Sequence, residues 1–115
     1  MISEITKSIP KVDKTTENNN LYIHVRNYFG RYAENKDLAK KIRDEKLLPA
    51  LAENKTLTID FEEILSAPHS LLNAMLATPI ERLGLSAYKK IKIINAAPEI
   101  RETIDFIFDD NTSND

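Results

Sequence analysis

The 115-residue chain predicts a single-domain α/β fold: a small, mostly parallel sheet with helices packed against it. Three observations lead there. Three short runs, LYIHV, TLTIDF and KKIKIIN, are rich in β-branched and aliphatic residues and are bounded by polar or turn-forming segments. The segments after each run carry helical rather than alternating periodicity. The resulting order, strand-helix three times over, requires crossover connections, which parallel strands need and tight hairpins cannot provide.

Taken in order, residues 1–20 are mostly polar and end in TTENNN, so a flexible leader is expected, with a short strand from Ile2 to Ile5 as the alternative. In LYIHVRNYFG, Leu21, Ile23 and Val25 alternate with Tyr22, His24 and Arg26, the period-two pattern of a strand with one buried face, closed by Gly30. NKDLAKKIRDEKLLPALAEN reads as a helix with Asn35 as N-cap, Asp37 in the first turn, and Leu38 and Ile42 on one face. Pro49 cannot continue the hydrogen-bond ladder, which predicts a break or a second short helix near Leu47.

TLTIDF is the second strand. In SAPHSLLNAMLATPIERLGL, Leu72, Met75, Leu76, Ile80 and Leu83 form an apolar stripe. Thr78-Pro79-Ile80-Glu81 has capping-box spacing, so a kink or fresh start is expected at Thr78. KKIKIIN is the third strand, and Ile91, Ile93 and Ile94 predict a central one buried on both faces. APEIRETIDFIF opens a last helix at Pro98, with Ile100, Ile104, Ile107 and Phe108 on one face. Residues 109–115 read as a disordered, solvated tail, leaving residues 21–108 as the domain. The expected core includes Ile59, Leu72, Met75, Ile93 and Ile104.

Composition excludes several classes. The 16 basic and 18 acidic side chains nearly cancel, with no basic stripe for nucleic acid. Cysteine is absent, which removes disulfides and thiolate metal sites. No signal-like run opens the sequence, and no apolar stretch approaches the ~20 residues that cross a bilayer. A cytoplasmic protein without membrane contact is the expectation.

Catalytic patterns are sparse. Two glycines, Gly30 and Gly84, cannot write a phosphate-binding loop. The histidines, His24 and His69, are far apart, and a metal site would need carboxylates from elsewhere. His69 and Ser70 are adjacent on a helix, diverge by about 100°, and do not face each other as base and nucleophile. Asp60, Glu62 and Glu63 could form a metal or acid–base cluster, although a strand end followed by an exposed acidic turn explains them more simply. The carboxyl edge of an α/β sheet is nevertheless where such folds place their sites. No enzyme activity, metal or cofactor is expected. Ser70 carries two readings: a small polar residue tolerated in a first helical turn, or a hydroxyl whose phosphate would meet free N–H groups. The second reading places Pro68 at the first helical position and Ser70 at the third.

The strand LTIDF, the loop EEILSAPHS, the helix LLNAML and the later IKIINAAPEIRETI resemble the STAS domain of bacterial anti-sigma-factor antagonists, and more closely the small STAS-like family of unknown function. The matching features are Asp60-Phe61 at a strand end, Ser70 at a helix start, and Asn95 followed by Pro98-Glu99. The resemblance runs from about Leu21 to Phe108. It implies a regulatory protein–protein interaction module, with Ser70 in the place of the serine that a histidine-kinase-like ATPase phosphorylates in the antagonists. The antagonists usually carry Asp-Ser-Ser-Gly there, whereas this chain has Pro68-His69-Ser70-Leu71. A partner surface of Asp60, Glu62, Glu63, Ser66, His69, Ser70 and Asn73 is expected. The alternative function is a small-ligand or nucleotide sensor at the same sheet edge.

Overall fold

The computed structural model describes residues 19–112. Most of the expected leader, including Ile2–Ile5, and the last three residues lie outside them. Strand β1 (Asn20–His24) leads into a short helix α1 (Val25–Phe29). Helix α2 (Lys36–Ile42), a π-helical turn (Arg43–Leu47) and α3 (Leu48–Ala52) follow without interruption. Then come β2 (Thr56–Asp60), α4 (His69–Leu83), a 3₁₀ turn (Gly84–Ser86), α5 (Ala87–Lys90), β3 (Ile91–Ile94) and α6 (Pro98–Thr112). The expected α/β class and parallel pairing are present.

The sheet runs β1-β2-β3, all parallel. Register assigns its two faces. Leu21 lies beside Leu57 and Leu57 beside Ile91, while Ile23, Ile59 and Ile93 form the next row. These rows turn inward, with Ile23, Leu57, Ile59 and Ile91 buried. Tyr22, Thr58 and Lys92 form a row on the other face, and His24, Asp60 and Ile94 the next. Since strand side chains alternate between faces, the polar residues at even positions follow from the apolar ones at odd positions. Helix α4 packs against α2 and α6, closing the core through Leu71, Leu72, Met75, Leu76, Ile80, Ile100, Ile104 and Ile107.

Several expectations need correction. The first strand ends at His24, not Arg26, and Val25 begins a helical turn while staying buried, so alternation alone could not show the change. Among the described residues, the central position belongs to β2. Strand β3 is an edge among the described residues, with Ile93 and Ile94 only half-buried and Lys92 exposed. Its branched side chains reflect strand formation and one buried face rather than burial on two.

Pro49 does not break its helix. The preceding turn widens to π geometry, with the Leu48 N–H donating to the Arg43 carbonyl. Widening eases the approach of the proline ring to the preceding turn. It also brings Ile42 and Leu47, both buried, to the core side. In an α-helix five residues advance about 500°, which would leave them roughly 140° apart.

No new helix starts at Thr78. Helix α4 is continuous through Pro79, which is buried with Met75, Leu76 and Ile80; packing of this stripe outweighs the missing backbone bond. Pro68 is the N-cap of α4 rather than its first residue. Helix α6 continues to Thr112, whose side chain is buried and donates to the Phe108 carbonyl at 2.8 Å, so residues 109–112 belong to the fold rather than to a tail. No helix among the described residues is long and apolar enough to cross a membrane.

Candidate functional site

At the carboxyl ends of the strands, Asp60 is the centre of a polar cluster. Parallel register places His24 directly beside it on β1 and Ile94 on β3. Asp60 is 2% exposed, and few carboxylates are buried that deeply without dedicated partners. Its partners come from three elements. The Tyr22 hydroxyl donates to Oδ2, the Asn95 amide donates to Oδ1 at 3.0 Å, and the Glu62 backbone N–H donates to Oδ1 at 2.9 Å. His24 Nε2 stands 3.4 Å from Oδ2 and 3.6 Å from Glu62 Oε1.

Burial pushes the Asp60 carboxyl upward, but hydrogen bonds from Tyr22, Asn95 and the Glu62 backbone, with the neighbouring His24, outweigh it and hold the pKa below the usual carboxylate range. Reciprocally, the hydrogen bond to Asp60, burial and the adjacent acidic charges raise the Tyr22 hydroxyl. Asn95 holds its amide in place from a left-handed backbone position, φ 57°, which asparagine adopts more readily than most residues.

The loop into α4 is pinned by other means. Glu63, also left-handed at φ 63°, forms an ion pair with Arg26. The Leu65 N–H donates to the Arg31 carbonyl and the Ala33 N–H to the Ser66 carbonyl, both at 2.8 Å. Ser66 and Tyr32 form a parallel bridge, so the loop before α4 is laced to the loop after α1. The Pro68 carbonyl accepts from Leu71 and Leu72, leaving the N–H groups of His69 and Ser70 at the open helix end.

Of the expected surface residues, Glu62, Glu63, His69, Ser70 and Asn73 are exposed, Ser66 is half-buried, and Asp60 is buried. Asp60 and Glu62 join one cluster; Glu63 is taken by Arg26. His69 stands 5.9 Å from the Phe106 ring, centre to centre, and with Ser66 lines a cleft shared with Leu65, Glu99 and Thr103. Ser70 is the second residue of α4, and no hydrogen bond to its side chain is present among the described residues. Asn73 lies one turn further along α4. No hydrogen bond or ion pair among the described residues joins the Asp60 cluster to Ser66, His69, Ser70 or Asn73.

Sequence reasoning did not assign Tyr22, His24, Arg26 or Asn95 to the site. Tyr22 and His24 did fall on the polar face of β1, and Asn95 in the strand-end motif; register and the third strand end were needed to unite them with Asp60.

A parallel α/β domain, with three strands among the described residues and a hydrogen-bonded acidic centre at its carboxyl edge, is the class these features define. The chain belongs to the family of STAS-like domains of unknown function, whose sequence profile matches residues 39–101. That span holds Asp60, Glu62, Ser70 and Asn95, but not Tyr22 or His24. No curated protein and no solved structure matches the chain.

Proposed function

We propose that this domain is a non-catalytic regulatory module of the cytoplasm that binds another protein through the edge from Glu62 to Asn73, with Ser70 as a phosphorylation acceptor. The observation that carries the reading is the presentation of Ser70: exposed, in the first turn of the 15-residue helix α4, beside free backbone N–H groups. A phosphate there would gain donors and the positive helix end, about 0.3–1 kcal/mol when exposed. A partner packing on it would have to desolvate it, which costs more. Binding therefore responds more than folding does. The nearby Leu65 side chain is 60% exposed and Phe106 59%, which supplies apolar surface for a protein partner.

The partner type implied by the resemblance is a histidine-kinase-like ATPase. The exposed apolar side chains Leu65 and Phe106 beside the cleft at His69 favour a protein over the alternative of a small ligand or nucleotide. The test is incubation with purified ATPases of that type from the same organism and ATP, followed by intact-mass measurement and binding titration. One added phosphate, absent in Ser70→Ala, and binding weakened about 10-fold or more by Ser70→Asp are expected. Binding indifferent both to Ser70→Asp and to charge reversal at Glu62 and Glu63 would refute the proposed surface.

A further inference from the structure

The His24–Asp60–Glu62 cluster brings three metal-ligating side chains together at one edge of the sheet. We infer that His24, Asp60 and Glu62 form a binding site for one divalent transition-metal ion of the zinc class. His24 Nε2 is 3.4 Å from Asp60 Oδ2 and 3.6 Å from Glu62 Oε1, and the three donor atoms lie within 4.8 Å of one another. Two donors each about 2.1 Å from a tetrahedral ion stand roughly 3.4 Å apart, so the cluster needs only a small side-chain adjustment to close around one.

Donor chemistry agrees with the spacing. A neutral imidazole and two carboxylates carry two negative charges, which a dication neutralises, and mixed N/O donors suit zinc and its first-row neighbours better than magnesium. The mount is already built. Asn95 and the Glu62 N–H occupy Asp60 Oδ1, while Oδ2 faces His24. Fixing one carboxylate oxygen to aim the other is how outer hydrogen bonds orient metal ligands. Tyr22 donates to the same Oδ2, and the oxygen keeps a second lone pair for an ion.

A second observation concerns charge. Asp60 is 2% exposed, yet among the described residues no lysine or arginine pairs with it; its polar contacts are Tyr22, Asn95, a backbone N–H and His24. A buried carboxyl group with no lysine or arginine beside it leaves room in its surroundings for a cation. The His24 side chain is 38% exposed and that of Glu62 58%, so the ion has an entry path and retains coordination positions for water or a donor from another molecule.

This inference is independent of the partner reading, because metal binding is measured on the domain alone. The chain has no cysteine and two histidines, so tag-free protein offers few competing donors. Calorimetric titration with Zn²⁺ should give one saturable site per chain, and Co²⁺ should give a visible absorption band of low-coordinate character. His24→Ala, at a half-buried position, and Glu62→Gln, at an exposed one, both checked for folding by circular dichroism, should each weaken Zn²⁺ by more than about 10-fold. Asn95→Ala, which acts through Asp60, should weaken it by about 10-fold. His69→Gln should leave the isotherm unchanged. Absence of a saturable site, retention of full affinity in His24→Ala, loss in His69→Gln, or equal competition by Mg²⁺ would each overturn the assignment.

Discussion

Asp60 and Ser70 stand at the two ends of one short connection, yet the molecule treats them oppositely. Asp60 is closed in by Tyr22, Asn95, His24 and its own loop. Ser70 is exposed, and no side-chain hydrogen bond is present at it among the described residues. A side chain with that many obligations organises the edge and cannot be changed without disturbing it. A side chain with none is available to change at little structural cost. The difference separates a structural centre from a candidate switch.

The comparison can be tested from its foundations outward. The largest effect should come from the core beneath the edge: Ile59→Ala removes a fully buried side chain from the central strand and should cost about 2–5 kcal/mol in chemical denaturation. Ile93→Ala, half-buried on β3, should cost only about 1 kcal/mol; an equal loss at both positions would contradict the edge position of β3.

Next come the donors around Asp60. Asn95→Ala removes a hydrogen bond to a charged group, worth about 1.5–3 kcal/mol, and forces alanine into the left-handed region. Asn95→Gly removes only the bond. The glycine variant should therefore be about 1 kcal/mol the more stable of the two, and the reverse order would place the importance of Asn95 elsewhere.

Acid titration sharpens the same point. A carboxyl whose folded pKa lies below its unfolded value contributes stability in full above about pH 4. That contribution is lost as pH falls through the folded value. Far-UV circular dichroism should show Asn95→Ala unfolding at higher pH than the parent chain, because one of the donors favouring ionised Asp60 is gone. The smallest effect belongs to Ser70: Ser70→Asp and Ser70→Ala should each lie within about 0.5 kcal/mol of the parent in stability. A larger loss would mean that Ser70 has a structural role after all.

Much of this was legible in the sequence because it depends on periodicity. The helix stripe through Leu72, Met75, Leu76 and Ile80, the Asn35 cap and the odd–even division of the strands are local patterns. Asn35 does accept from the Leu38 N–H, at 3.0 Å. What escaped was non-local. His24 and Asp60 become neighbours only through strand register, and no spacing along the chain encodes that. The fate of Pro79 was hidden for a related reason: a local breaker was overruled by the burial of its surroundings. Asp60 was visible as a strand-end acid, but its burial depends on Tyr22 and Asn95 arriving from either side.

The widened turn at Arg43–Leu47 has a consequence for how this chain can vary in length. It behaves as one surplus residue absorbed within a helix, with the interior positions on both sides kept in phase. Removing a single residue from this turn, together with the Pro49 ring, would leave an ordinary α-helix. Ile42 and Leu47 would then be four positions apart instead of five and still face inward. An insertion or deletion in the middle of a helix ordinarily rotates everything beyond it. Here the downstream strand, with Asp60 at its end, is insulated from such a change.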